Sequence, residues 1–134
     1  MSTEDTLKHA RESGKASLEA LVEMVDALIA AEEANDDDAR EKAEQVIHED
    51  PLSVQVRSDW YTPGDKDGAK AAEYELLLAT GGPAVRIIGD LECGEPISAR
   101  LEVQDWFIPW TRLVTSEGDD EKLLRYAQCF YFGA

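Results

Sequence analysis

Val46-Ile-His-Glu-Asp-Pro51-Leu-Ser-Val-Gln-Val-Arg57 is the stretch where the chain changes its hydrophobic period, and it decides the fold class. Up to Ile47 apolar residues recur every three or four positions; after Pro51 they alternate, Leu52, Val54 and Val56 against Ser53, Gln55 and Arg57. A spacing near 3.6 marks a helix with one buried face, and a spacing of two marks a half-buried strand. Asp50-Pro51 separates them, because the residue before proline avoids helical geometry. The chain therefore reads as α+β, one domain over 1–134, with an acidic helical segment at 1–50 and an antiparallel sheet plus a short helix at 51–134.

Upstream, Leu18, Leu21, Val22, Val25, Leu28 and Ile29 lie on one face of a helix predicted over 4–34, with Gly14 weakening its first turns. Asn35 and Asp36-Asp37-Asp38 supply a stop and then a cap for a second helix, about 37–48, so that the two make a helical hairpin. Downstream, Tyr74, Leu76 and Leu78 alternate with Glu73, Glu75 and Leu77, and turns at Gly81-Gly82-Pro83 and Glu92–Pro96 lead into Val85–Ile88 and Ile97–Val103. Four strands joined in this way form an antiparallel meander. Asp119-Asp120 caps a short third helix from Glu121 to about Gln128, and the apolar end Cys129–Ala134 is expected to pack down on the core.

Twenty-nine acids against thirteen bases leave a net charge of −16, of which residues 1–50, with fifteen acids and five bases, hold −10. Such a surface repels phosphate backbones and anionic lipid, so direct nucleic-acid and membrane partners are disfavoured. It attracts basic proteins, although solubility alone also explains it. Cys93 and Cys129 are too few for a disulfide framework, and with His9 and His48 far apart no metal site is expected. No secretory leader or membrane-spanning run is read, so a cytoplasmic location is expected. The apolar stripe of the first helix could instead pair with another chain, which makes a homodimer through the N-terminal helices an expectation.

Catalytic constellations such as GxSxG, a Walker A loop, HExxH or CxxC are absent, so the reading is non-enzymatic and cofactor-free. The best site candidates are Trp60 and Tyr61 in one loop, and Asp105, Trp106 and Trp110 in a second. Arg86 and Arg112, with Arg57 and Arg100, lie on or near the same strands and can clamp an anionic ligand. The competing reading is that the aromatics cover the sheet, that the arginines balance Glu73, Glu75 and Glu102 across strands, and that Asp105 forms a turn.

Four strings, Asp50-Pro-Leu-Ser-Val-Gln-Val-Arg-Ser-Asp-Trp-Tyr-Thr-Pro-Gly64, Leu77-Leu-Ala-Thr-Gly-Gly-Pro-Ala-Val-Arg-Ile-Ile-Gly89, Val103-Gln-Asp-Trp-Phe-Ile-Pro-Trp-Thr111 and Leu124-Arg-Tyr-Ala-Gln-Cys-Phe-Tyr-Phe-Gly133, occur in order. Residues 46–133 thereby resemble a family of small uncharacterised acidic proteins encoded by bacteriophages, prophages and plasmids. The resemblance implies no catalytic residues, because no activity is known for that family. It implies a mobile-element setting, in which small acidic proteins often inhibit host defence, some by mimicking DNA. Two functions are thus expected: an acidic protein that binds a basic partner, or a small-ligand binder using the Trp-rich loops.

Overall fold

The computed structural model describes residues 2–65, 70–106 and 108–132. Its elements run α1 (Thr3–Glu33), α2 (Asp37–Glu49), β1 (Ser53–Ser58), β2 (Ala71–Ala79), β3 (Ala84–Glu92), β4 (Glu95–Pro96), β5 (Arg100–Gln104), β6 (Thr111–Leu113) and α3 (Glu117–Ala127). The α+β class is as the change of period implies. The sheet is larger than the four strands expected: six strands, in the order β1-β2-β3-β5-β6, with β4 paired to β3 and every pairing antiparallel.

Helix ends follow local chemistry. Ser2 caps α1 by accepting the backbone N–H of Asp5 at 3.2 Å, and Asp36 caps α2 by accepting that of Ala39 at 3.1 Å. Asn35, at φ 52°, provides the left-handed residue after α1. The third helix starts four residues before its predicted start, because Ser116, not Asp119-Asp120, is the cap and accepts one of the free first-turn amides, that of Asp119. In the β3–β4 turn, Cys93 (φ 53°) and Gly94 (φ 79°) both take the left-handed conformation that a two-residue hairpin turn requires.

Register assigns the two faces of the sheet. Val54, Leu76, Ile87, Leu101 and Leu113 fall in one cross-strand row, and the last four are buried. This face carries α1, which presents Ala10, Leu21, Val25 and Leu28 with no solvent exposure, together with Leu123 and Tyr126 of α3. Each such large side chain stabilises the fold by about 1.5–3 kcal/mol. The apolar stripe of α1 is therefore occupied by the chain's own sheet.

Gly14 also departs from its predicted role. The helix is continuous through it, and a Cβ placed there would lie 2.5 Å from Cγ1 of Val103 and 3.0 Å from Cδ2 of Leu113. The missing side chain lets helix and sheet approach. The second helix packs beside α1 and reaches the C-terminal segment, where His48 donates from Nε2 to the Cys129 carbonyl at 2.6 Å and stands edge-on to Phe130. Below it, the Tyr126 hydroxyl donates to Asp50 at 2.6 Å.

Gly14→Ala gains helix propensity of up to about 1 kcal/mol, but the stiff Val103 must shift. The expected net result in urea titration is a loss of about 1–2 kcal/mol, as in overpacked cores. Burial holds the Tyr74 and Tyr126 hydroxyls well above the ordinary tyrosine value, Tyr126 further through its bond to Asp50. Both stay protonated in the fold and ionise more easily when unfolded, so their contribution is complete below about pH 10 and fades as pH rises past it. The unfolding free energy from urea titration should fall as pH rises past about 10, by up to about 1.4 kcal/mol per pH unit for each group, and Tyr126→Phe should flatten that slope.

Candidate functional site

The face of the sheet opposite the helices is polar and open. Its rows run Ser53–Leu77–Arg86–Glu102–Arg112, Gln55–Glu75–Ile88–Arg100 and Arg57–Glu73–Asp90. Antiparallel strands place these residues opposite one another at Cβ separations of about 5 Å, close enough for opposite charges to meet.

Arg86 is the centre. Its Nη1 donates to Glu75 at 2.7 Å, while Nε and Nη2 both donate to Oε1 of Glu102, at 2.9 and 2.7 Å. Trp110 lies over the guanidinium, 4.2 Å from ring centroid to Cζ. Arg100 adds a 3.3 Å contact to the other oxygen of Glu102, and Arg57 bonds Glu73 at 2.7 Å. Only 18% of the Arg86 side chain is exposed, with Trp110 over one face and its donors engaged by carboxylates on two strands. Of the two sequence readings, charge balance across strands is the one realised at Arg86. A ligand anion would have to displace two carboxylates and a ring. Arg112 stands opposite Glu102 on the edge strand and is exposed.

The aromatic loops are not brought together. The β1–β2 loop, with Trp60 and Tyr61, leaves the end of the sheet where β1 finishes and β2 begins. The β5–β6 loop, with Asp105 and Trp106, leaves the opposite end, beside the β2–β3 turn. The two Trp loops therefore do not share one pocket: register, invisible in either loop by itself, sends them apart. Trp60 is fully exposed, and with Arg57, Asp59, Tyr61 and Glu73 it lines an open depression of about 590 Å³. Trp106 borders a separate one of about 420 Å³ with Thr80, Gly81 and Gln104. Phe107, between the two tryptophans of the second loop, lies outside the described residues.

Asp105 is a turn former. Its side chain is 4% exposed; one carboxylate oxygen accepts the Trp106 amide at 2.8 Å, and the other lies 3.2 Å from Nδ1 of His9. The latter contact fastens the first turns of α1 to the β5–β6 loop, a link that residues 96 positions apart could not advertise in sequence. Cys129 is half-buried, and desolvation pushes its thiol above the ordinary cysteine range. Among the described residues no group of three or more His, Cys, Asp or Glu side chains is gathered to hold a metal ion, and no helix is long and apolar enough to cross a membrane.

The acidic side chains take a different place. On α1, Glu19, Glu23, Asp26 and Glu33 follow one another at helical spacing and are exposed, as are Asp37, Asp38 and Glu41 on α2. Two of α1's carboxylates serve the fold: Asp26 bonds Lys122 at 2.7 Å, and Glu32 pairs with Arg125, which ties α3 to α1.

Arg86→Ala should destabilise the chain by about 1.5–3 kcal/mol in urea titration, because it deprives the partly desolvated Glu75 and Glu102 of their shared counter-charge. Arg112→Ala, on the exposed edge, should cost under about 0.5 kcal/mol.

Comparison with protein-family models, with curated proteins and with solved structures finds no match for this chain.

Proposed function

We propose that the chain is a non-enzymatic interaction protein whose acidic helices engage a basic partner protein. The observation that carries this reading is the row of exposed carboxylates at Glu19, Glu23 and Glu33 of α1 with Asp37, Asp38 and Glu41 of α2, on helices whose apolar faces are already occupied. Nothing in the packing of the core needs these acids. On α1, Glu19 and Glu23 are about 6 Å apart along the axis and Glu33 lies about 15 Å beyond, from the 1.5 Å rise per residue. That density of negative charge suits a surface that normally contacts nucleic-acid phosphates. The resemblance of residues 46–133 to proteins of phages, prophages and plasmids supports a host-directed role, inhibition of a defence complex by imitation of DNA. The helical hairpin of α1 and α2 is the element that would be presented.

The alternative, a small-molecule binder built on the tryptophans, has less support. Its aromatic residues sit at two ends of the sheet, and Arg86 and Trp110 are engaged with each other.

The test is capture from a bacterial lysate on the immobilised chain at 50 and 500 mM salt. Basic proteins should be retained at low salt and released at high salt, as for any contact dominated by screened charge. The triple variant Glu19→Lys, Glu23→Lys, Glu33→Lys should lose them by at least about tenfold, or about 1.4 kcal/mol. An unchanged set of retained proteins would refute the reading.

A further inference from the structure

We propose that β1 is a self-association edge, onto which a second copy of this chain adds its own β1 in antiparallel pairing. Among the described residues β1 pairs with β2 alone, so its outer row of backbone N–H and C=O groups faces solvent. Folded proteins ordinarily blunt such an edge with lysine, proline, inward-pointing charge or brevity. Ser53–Ser58 contains no lysine, no proline and no carboxylate, and its one irregularity is the register shift between Arg57 and Ser58. The other outer strand of the main path, β6, has only three residues.

The side chains support the same conclusion. Val54 shares a cross-strand row with buried Leu76, and Val56 with buried Tyr74, yet the two valines are 44% and 48% exposed. The helix layer stops short of this strand and leaves its apolar row uncovered. Leu52, Trp60 and Tyr61 are also exposed, so half of the ten largely exposed apolar side chains among the described residues fall within residues 52–61.

Charge selects a second copy as the occupant. A basic strand drawn to this molecule finds no counter-charge on β1, where Arg57 is the sole ionisable side chain. An acidic strand finds on β1 only Arg57 as a counter-charge. The complementary strand is neutral and apolar at alternate positions, and β1 is itself such a strand. About a two-fold axis through Gln55, Val54 of one copy lies beside Val56 of the other, on the same face, and Arg57 lies beside Ser53. The two guanidiniums are thereby kept apart, and the paired patch is the same on both copies, as a two-fold interface requires. Asp50, just before the strand, is held by Tyr126.

Two copies at this charge repel at long range, so salt should tighten the dimer, the reverse of its effect on a basic partner held by the helices. The two proposals therefore fail separately. Sedimentation of the full chain from 5 to 500 µM, in 50 and 500 mM sodium chloride, should show a dimer whose dissociation constant falls at least threefold in the higher salt. Val54→Lys and Val56→Lys should each weaken it tenfold or more while circular dichroism and thermal unfolding stay as in the parent chain. Val114→Lys, at an exposed apolar position on another part of the surface, should leave it unchanged. Amide exchange in residues 53–57 should slow as concentration rises. A monomer at 500 µM in 500 mM salt, a dimer indifferent to both lysines, or exchange in β1 independent of concentration would each overturn the assignment, the first leaving the edge to an extended strand of another protein.

Discussion

Close contact between α1 and the middle of the sheet is the constraint on which the rest of the structure depends. Gly14 removes the one side chain that would hold them apart, and Val103 and Leu113 fill the space it leaves. Leu21, Val25 and Leu28 then continue the same seam along the helix. One long helix cannot cover five strands. It buries the rows through β3 and β5, α3 joins it, and β1 is left with both of its side-chain faces in contact with water.

From that constraint follows the distribution of charge. The outward sides of α1 and α2 carry the acids, while Ala10, Leu21, Val25, Leu28, Ala43 and Ile47 face the core. On the far side of the sheet, arginines and glutamates alternate across strands and neutralise one another around Arg86. Net charge is thus concentrated on the helical layer, and the open sheet face is close to balanced. A chain at −16 therefore presents two chemically different surfaces, one suited to a basic protein and one to a neutral strand.

The legible parts of this fold are those governed by neighbours in sequence. Leu21, Val25 and Leu28 announce the buried face of α1 through their spacing, and Tyr74 and Leu76 announce that of β2 through alternation. The signals that failed depend on residues far away. Gly14 reads as a weak point until Val103 is placed against it. The β6 strand, three residues long between a tryptophan and a short loop, has too few positions for a period to be recognised. Asp119-Asp120 resembled a helix start because acids favour that end, but the hydroxyl of Ser116 reaches one of the free first-turn amides. At the candidate site, the exposure of Trp60 was readable from its loop, whereas the engagement of Arg86 by two strands and a ring was not.

What the sequence by itself determined is the class of the protein, the extent of its first two helices, the alternation of its strands and the concentration of acid at its N-terminal side. Each is a property of residues within a few positions of one another, where backbone geometry sets a period of 3.6 or 2. Only the tertiary structure decided which strands are neighbours, that the two tryptophan loops leave opposite ends of the sheet, and that β1 lies beyond the reach of the helices. Those facts follow from strand register and from how far one helix extends over a sheet, and neither quantity is encoded in any single stretch of the chain.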